Sequence, residues 1–215
     1  MAPGKFITFE GGEGAGKSTQ ARLLADRLQA RGIDVVVTRE PGGSPFAEQV
    51  RALILDPAIE PHAVLSEALL FYAARADHLD KLIRPALGQG RWVVSDRFSD
   101  STRVYQSVAG GLPLDVFDVL ERLVVLPTAP DLTIVLDISP EAGLRRATER
   151  RVASIRPDAY EKRDLAFHQR LREGFRAIAA AEPGRCVMVD GAAQPAAIAE
   201  TIWSMVKQRL LLDPP

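Results

Sequence analysis

Short apolar runs alternate with longer stretches of helical periodicity along the whole chain. The apolar runs are rich in β-branched and aromatic residues, as strands buried on both faces of a sheet are. They predict five strands, at 6–9, 35–38, 92–95, 132–136 and 186–189. The periodic stretches predict helices at 17–31, 45–55, 61–88, 99–109, 115–126, 140–151, 160–182 and 195–212. This alternation is typical of an α/β protein, a three-layer sandwich in which a five-stranded parallel sheet is flanked by helices.

Prolines and one polar segment mark boundaries within this pattern. Pro45, Pro140 and Pro195 stand where predicted helices begin, a position that suits proline. A length of 215 residues without a linker predicts a single domain, residues 1–215. The polar segment 150–157 interrupts two helices and has few apolar anchors. It is either part of a mobile lid, at about 145–160, or an ordinary surface loop.

The composition is that of an ordinary globular protein, with 47% hydrophobic and 26% charged residues. A net charge of −1 gives no general attraction to nucleic acid or to an anionic membrane. No apolar segment approaches the ~18 residues that span a bilayer, and no secretory signal is visible. The single cysteine, Cys186, lies in an apolar run, which indicates a buried structural thiol in a reducing compartment. We therefore expect a cytoplasmic protein without nucleic-acid or membrane partners.

The residues after the first predicted strand carry the clearest chemical signal. Their spacing is Gly-x-x-x-x-Gly-Lys-Ser, a Walker A phosphate loop, with a strand before it and a helix after it. The glycines let backbone N–H groups turn towards one phosphate, and the helix N-terminus adds partial positive charge. A glycine-rich turn can match by chance, but the flanking elements favour a site for a nucleoside triphosphate. The predicted loop consists of Gly11, Gly12, Glu13, Gly14, Ala15, Gly16, Lys17, Ser18 and Thr19.

Two further pairs of residues suit the chemistry of a nucleotide. Phe71 and Arg75 are four residues apart on a predicted helix, so they share a face. A pyrimidine can stack on such a ring and accept a hydrogen bond from the guanidinium, although Phe71 alone is better explained as a core aromatic. Asp96 and Arg97 follow the third predicted strand. They are either a surface ion pair or, as their place at a strand end favours, a Mg²⁺ ligand and a phosphate ligand.

Taken together, these blocks closely resemble thymidylate kinases, P-loop nucleoside monophosphate kinases that phosphorylate dTMP to dTDP. The resemblance rests on segments 10–19, 39–43, 70–77 and 95–106 and extends over nearly the whole chain. It implies the P-loop kinase fold, ATP as the donor, Mg²⁺ as the cofactor and a homodimer. It also implies a dTMP site formed by Glu13, Arg39, Pro41, Phe71, Arg75, Arg97, Ser101, Thr102, Tyr105 and Gln106.

The resemblance implies individual roles for these residues. Phe71 stacks on thymine, Arg75 contacts the base and Arg97 binds the phosphate of dTMP. Tyr105 crowds the 2′ position of the sugar and disfavours ribonucleotides. Glu13 is directed towards the 3′-hydroxyl, directly or through a neighbouring arginine.

The remaining positions carry more specific expectations. Ser18 and Asp96 are the expected Mg²⁺ ligands. The family commonly has a cis peptide before the proline that is Pro41 here, and an aromatic Tyr or His where this chain has Phe98. Phenylalanine cannot make the hydrogen bond of those residues. Arg39 is either a ligand of the acceptor phosphate or an ion-pair partner.

The position of the catalytic arginine distinguishes branches of the family. Some members carry it within the phosphate loop, at the place of Gly14 or Ala15, where this chain has none. The predicted lid instead carries three arginines, like the lid of bacterial-type enzymes, and closure would bring one of them to the transferring phosphoryl. Alignment favours Arg150, and the somewhat longer lid leaves Arg151 and Arg156 as alternatives. The expected catalytic residues are Lys17, Arg97 and Arg150.

Two other classes of function compete with this one. A kinase of the same fold could act on UMP, CMP or a non-nucleotide, but the pairs Phe71/Arg75 and Tyr105/Gln106 argue against a different pocket. A nucleotide-dependent switch would carry a guanine-reading Asn-Lys-x-Asp, and a transport-type ATPase a Leu-Ser-Gly-Gly-Gln signature. The sequence contains neither.

Overall fold

Five parallel strands form one sheet in the order β2-β3-β1-β4-β5 in the computed structural model, which describes residues 4–60, 62–150, 160 and 162–211. The side chain of Arg150 is not among the described atoms. The strands are β1 (Phe6–Glu10), β2 (Val35–Arg39), β3 (Trp92–Asp96), β4 (Leu132–Asp137) and β5 (Cys186–Asp190). The predicted five-stranded parallel sheet is therefore confirmed.

Every strand extends one residue beyond its prediction, and each added residue is charged. The apolar pattern ends before these residues, but the parallel ladders continue through them, pairing Phe9 and Arg39 with Asp96 and Asp137 with Asp190. In a parallel sheet these ends share one edge. The charged ends are Glu10, Arg39, Asp96, Asp137 and Asp190.

Helices cover both faces of the sheet. They are α1 (Lys17–Gln29), α2 (Pro45–Leu55), α3 (Val64–His78), α4 (Arg84–Gly88), α5 (Ser99–Thr102), α6 (Leu114–Val124), α7 (Pro140–Arg150), α8 (Leu165–Ala181) and α9 (Pro195–Val206). Three π-helical turns, Leu79–Ile83, Arg103–Val108 and Lys207–Leu211, continue α3, α5 and α9. The predicted helices 61–88, 99–109 and 195–212 thus correspond to helical segments that contain a π turn, which sequence periodicity does not reveal.

One predicted helix boundary is clearly wrong. The helix expected to begin at residue 160 begins at Leu165, because the Asp164 side chain caps it by accepting a hydrogen bond from the Phe167 N–H at 2.7 Å. Of the predicted lid at 145–160, residues 151–159 lie outside the described residues.

The core is divided between the two faces of the sheet by strand alternation. Ile7 and Phe9 belong to the cluster packed under α1 and α9, together with the fully buried Trp203. Phe6 lies on the opposite face, in a cluster with residues of α3 and α6. The predicted structural thiol is confirmed, because Cys186 is buried and burial raises its pKa to about 12. Among the described residues, no helix combines the length and hydrophobicity needed to cross a bilayer.

Candidate active site

The phosphate loop connects β1 to α1 and requires its glycines. Gly14 and Gly16 have φ angles of 66° and 97°, in the left-handed region that glycine adopts without strain. A Cβ on Gly14 would collide with the carbonyl oxygen of Gly143 in α7, so the loop packs backbone against backbone. Gly16 is the N-cap of α1, which directs the free N–H groups of the helix into the loop.

Lys17 lies over the loop that it is expected to serve. It is buried, and its Nζ donates hydrogen bonds to the carbonyl oxygens of Gly11, at 3.1 Å, and Gly12, at 2.8 Å. Burial, reinforced by the charge of Arg97, lowers the pKa of Lys17 to about 8. A buried cation whose hydrogen bonds, among the described residues, go to neutral carbonyl oxygens is well suited to an anionic phosphate.

The two predicted Mg²⁺ ligands contact each other beside the loop. The Ser18 hydroxyl donates a hydrogen bond to the Asp96 carboxylate, the last residue of β3. Among the described residues, no group of three or more His, Cys, Asp or Glu side chains could hold a metal. A hydroxyl and one carboxylate suit Mg²⁺ that takes its other ligands from phosphates and water.

Arg97 joins the phosphate loop to a second cavity. Its Nη1 donates to the Gly11 carbonyl and to Ser101 Oγ, both at 3.1 Å, and its Nη2 donates to Tyr105 Oη at 2.9 Å. Nη2 also pairs with Glu13 Oε1 at 2.6 Å. Arg97 has a φ of 72° and is the only non-glycine residue with a positive φ in the described part of the chain.

Glu13 is the acidic residue within the phosphate loop, and Arg97 is the arginine next to it. Burial alone would raise the pKa of Glu13, but the positive charges of Arg97 and Lys17 lower it to about 2. A hydrogen bond from Tyr105 Oη at 2.8 Å adds to this. The carboxylate therefore stays ionised and helps to hold the guanidinium of Arg97.

The second cavity opens beside the loop at the carboxyl edge of the sheet. Nine of the ten residues predicted to bind dTMP line it, all except Arg39. The full lining is Glu13, Glu40, Pro41, Arg51, Leu55, Phe71, Arg75, Arg97, Phe98, Ser101, Thr102, Tyr105, Gln106 and Tyr160.

Arg39 lies outside this cavity. Its guanidinium pairs with Glu48 at 3.0 Å and is about half exposed. Arg39 also lines a neighbouring pocket with Lys17 and Arg97, so both alternatives for its role stay predictions. The next peptide bond, Glu40–Pro41, is cis, as the resemblance implied.

Arg75 is held in the cavity wall with one donor left over. It is buried, its Nε donates to Glu40 Oε2 at 2.8 Å, and its Nη2 donates to Thr102 Oγ1 at 3.0 Å. Glu40 is itself fixed by His78 Nδ1 at 3.0 Å. The Nη1 of Arg75 is buried without a hydrogen-bond partner among the described residues. A carbonyl oxygen on a bound ligand would satisfy this atom, since an unpaired buried donor is costly.

Aromatic rings form the opposite part of the cavity. The Phe71 ring lies 6.4 Å from Tyr160, and the Tyr105 ring 5.3 Å from Tyr160, measured between centroids. Gln106 Nε2 donates to Tyr160 Oη at 3.1 Å, while Gln106 Oε1 is buried without a partner in the described structure. A ligand whose flat ring carries polar atoms on its edge would fit this lining.

Five lining residues are not among the predicted site residues: Glu40, Arg51, Leu55, Phe98 and Tyr160. Arg51 and Leu55 are four residues apart on α2, a spacing that places them on one face, and Arg51 donates to the Pro41 carbonyl at 2.8 Å. This spacing was the one signal in the sequence that could have pointed to Arg51 and Leu55. The Phe98 ring packs edge-on against Phe6 with centroids 4.9 Å apart, which explains an apolar residue there.

The lid arginines lie beyond what the structure describes. The backbone of Arg150 ends α7, but its side chain is not described, and Arg151 and Arg156 fall outside the described residues. Their roles stay predictions.

The strand order, the phosphate loop after β1 and the adjoining aromatic cavity define a P-loop nucleoside monophosphate kinase. A family model described as "Thymidylate kinase" matches residues 9–202. Curated thymidylate kinases from Rhodopseudomonas palustris and Caulobacter vibrioides are 53% and 50% identical over 97% and 98% of this chain. Those matches cover 90% and 99% of the relatives.

A solved structure agrees with these sequences. The crystal structure of thymidylate kinase from Ehrlichia chaffeensis matches with a TM-score of 0.75 and 34% identity, covering 95% of this chain and 99% of that one. The chain belongs to the thymidylate kinase family.

Proposed function

We propose that this chain transfers the γ-phosphoryl group of ATP to the phosphate of dTMP, giving dTDP and ADP. The observation that carries the proposal is the position of Arg97. Its guanidinium contacts the Gly11 carbonyl in the phosphate loop and Ser101 in the second cavity, so it lies between donor and acceptor. Residues 1–215 as a single domain, with a lid at about 145–160, and a cytoplasmic location stay predictions from the sequence.

The cavity supplies the groups that a thymine nucleotide needs. Phe71 offers a ring for stacking, and the free Nη1 of Arg75 offers a hydrogen bond to a carbonyl oxygen of the base. Tyr105 is fixed by Glu13 and Arg97, which supports the role that the resemblance implies, a rigid ring that crowds the 2′ position of the sugar. Selection against ribonucleotides follows from this rigidity.

The transfer itself depends on position and charge. The acceptor is already a phosphate dianion, so no general base is required. Lys17 and the loop N–H groups hold the donor phosphates, while Arg97 aligns the acceptor. Ser18 and Asp96 would hold Mg²⁺, which neutralises charge on the donor phosphates.

The adenine of ATP is expected beside the loop after β5. Arg146 of α7 donates to the carbonyl oxygens of Gly191, at 2.7 Å, and Ala192, at 3.1 Å. These contacts fix the loop next to the phosphate site. Backbone groups of this loop would then do much of the adenine recognition.

The lid arginine has its own expected result. We expect Arg150→Ala to lower kcat about 10²-fold while the KM for dTMP changes little. The reason is that the proposed contact of Arg150 with the transferring phosphoryl group is stronger in the transition state than in the ground state. Steady-state kinetics of Arg150→Ala, Arg151→Ala and Arg156→Ala compare the candidates directly. An effect of Arg150→Ala on KM alone would transfer the role to whichever of the other two variants loses kcat.

An apolar surface supports the homodimer that the resemblance implies. Helix α3 packs against both α2 and α6, so these helices are neighbours in the fold. Large apolar side chains are exposed on α3, on α6 and just after α6, and Leu123 is 77% exposed. Such a patch on a monomer is a candidate interface, and a second copy of the chain would cover it. The exposed residues are Leu65, Leu69, Leu114, Val119, Leu123 and Leu126.

We expect Leu123→Glu to convert the dimer into a monomer, because it would bury a charge in the apolar interface. Sedimentation velocity at several concentrations measures this. Leu23→Glu is the matched control, since Leu23 is an exposed leucine on α1 and should leave the dimer intact. A monomeric wild type, or a dimer that persists in Leu123→Glu, would contradict this interface.

The function is tested by measuring ADP release with different acceptors. We expect release from ATP and Mg²⁺ to depend on dTMP, to be weaker with dUMP, UMP, CMP and AMP, and to stop in EDTA. A preference for UMP or CMP would favour the competing kinase assignment. Hydrolysis without any acceptor would favour a nucleotide-dependent switch.

A further inference from the structure

Glu10 is a fully buried carboxyl group at the end of β1 that does not line the second cavity. Its Oε1 accepts a hydrogen bond from the Phe98 N–H at 2.8 Å. Its Oε2 is joined to Ser101 Oγ at 2.6 Å. Both partners belong to the segment that begins with Arg97, so Glu10 ties the end of β1 to the segment after β3.

Arg97 needs such a restraint because its backbone is in an unfavourable conformation. A φ of 72° places it in the left-handed region, which a residue with a Cβ adopts only when its surroundings impose it. The Arg97 N–H donates to the Phe9 carbonyl at 2.9 Å, and Ser95 Oγ donates to the Arg97 carbonyl at 2.8 Å. The bond from Phe98 to Glu10 fixes the next peptide and completes the restraint.

The guanidinium of Arg97 is connected to Glu10 as well. Arg97 Nη1 donates to Ser101 Oγ at 3.1 Å, and that hydroxyl is the group joined to Glu10. We infer that Glu10 is a positioning residue that fixes Arg97 at both ends, through the Phe98 peptide and through Ser101. The inference rests on the proposed function, in which Arg97 binds the acceptor phosphate.

The protonation state of Glu10 identifies a conservative substitute. Burial, followed by the negative charge of Asp100, raises the pKa of Glu10 to about 8. Asp100 is itself paired with Arg185 at 2.6 Å. The Ser101 hydroxyl donates to Glu10 Oε2, and a hydroxyl can also accept a hydrogen bond. A glutamine therefore keeps the acceptor for the Phe98 N–H and stays bonded to Ser101 Oγ through its Nε2, with the direction of that second bond reversed.

The test compares kcat for dTMP in two variants of Glu10. Glu10→Ala should lower kcat about 10²-fold, the effect of a misplacement on the order of 1 Å. Glu10→Gln should retain kcat within a few-fold, because its amide keeps the bonds to Phe98 and Ser101. Should Glu10→Ala fail to fold, Glu10→Asp replaces it, since the shortened side chain loses the same contacts without emptying the site.

A double-mutant cycle separates positioning from stability. In an Arg97→Ala background, removal of Glu10 should lower kcat by less than about threefold, because the group on which it acts is gone. Two losses that multiply would overturn the inference. Normal turnover of Arg97→Ala by itself would instead overturn the proposed role of Arg97, and this inference with it.

Thr8→Val is the matched control for the loss of a buried hydrogen bond on the same strand. Thr8 is fully buried and its hydroxyl is joined at 2.9 Å to Thr133 Oγ1, which contacts Arg185 at 2.8 Å. Its variant should melt at a lower temperature and keep its kcat. An equal loss of kcat in Thr8→Val and Glu10→Ala would show that stability alone explains the effect.

Discussion

Arg97→Ala should lower kcat with dTMP by about 10³-fold or more, in the range measured when an arginine that neutralises a transferring phosphoryl group is lost. The four partners of its guanidinium span the phosphate loop and the acceptor cavity: Gly11, Glu13, Ser101 and Tyr105. Rapid-quench measurement of single turnovers, with saturating ATP and dTMP, reports the transfer step directly.

Arg97→Gly is the control for this result. Both variants remove the guanidinium, but only glycine relieves the φ of 72° at this position. We expect Arg97→Gly to be more stable than Arg97→Ala by about 1 kcal/mol, or roughly 2–4 °C in Tm for a chain of this size. Equal loss of turnover at unequal stability would assign the loss to the guanidinium. Turnover that follows Tm would contradict the catalytic role.

The sheet was predictable because its strands are short apolar runs, and the three central strands, β1, β3 and β4, are buried on both faces. Phe6, Trp92 and Leu132 begin these three runs, and such runs identify central parallel strands without tertiary information. The sequence pattern missed the ends of the strands because the end residues are charged. Glu10 and Asp96 are nevertheless part of the sheet, since Glu10 pairs with Val135 and Asp96 with Phe9. Pairing depends on the neighbouring strand, so the residues of one strand alone do not predict where its pairing ends.

The site was predictable to the extent that its residues are close in sequence. The phosphate loop and the Phe71/Arg75 pair each span only a few consecutive residues, so the spacing of those residues in the sequence was enough to identify them. Other lining residues are brought to the cavity by tertiary packing. Arg51 lies there because α2 packs against the site, and Glu40 because of the turn after β2. Tyr160 lies there through its contact with Gln106. The contact of Arg39 with Glu48 on a neighbouring helix likewise could not be read from the sequence.

Buried charge is concentrated at this edge of the sheet, and the structure indicates why. Glu13 is partly buried and Lys17 is buried, both next to Arg97, and each of their pKa values is shifted by that neighbour. A pocket that aligns two phosphate groups must present cations without water between them. Without ligand, Glu13 pairs with Arg97 and two carbonyl oxygens accept hydrogen bonds from Lys17, which explains an acidic residue inside a phosphate loop.

Lys17→Met should lower kcat about 10²- to 10³-fold while the protein becomes no less stable. Among the described residues, the hydrogen-bond partners of unliganded Lys17 are two carbonyl oxygens. Burial lowers its pKa to about 8, so its charge is destabilising in the unliganded fold. An apolar side chain of similar length removes that penalty and the phosphate contact together. Single-turnover kinetics and thermal denaturation of the same preparations measure both quantities.

Lys81→Met, at an exposed lysine, should change neither. Full turnover in Lys17→Met would exclude a contact between Lys17 and the donor phosphates, whereas lost turnover with a lower Tm would mean that the loop carbonyls need their cation to fold.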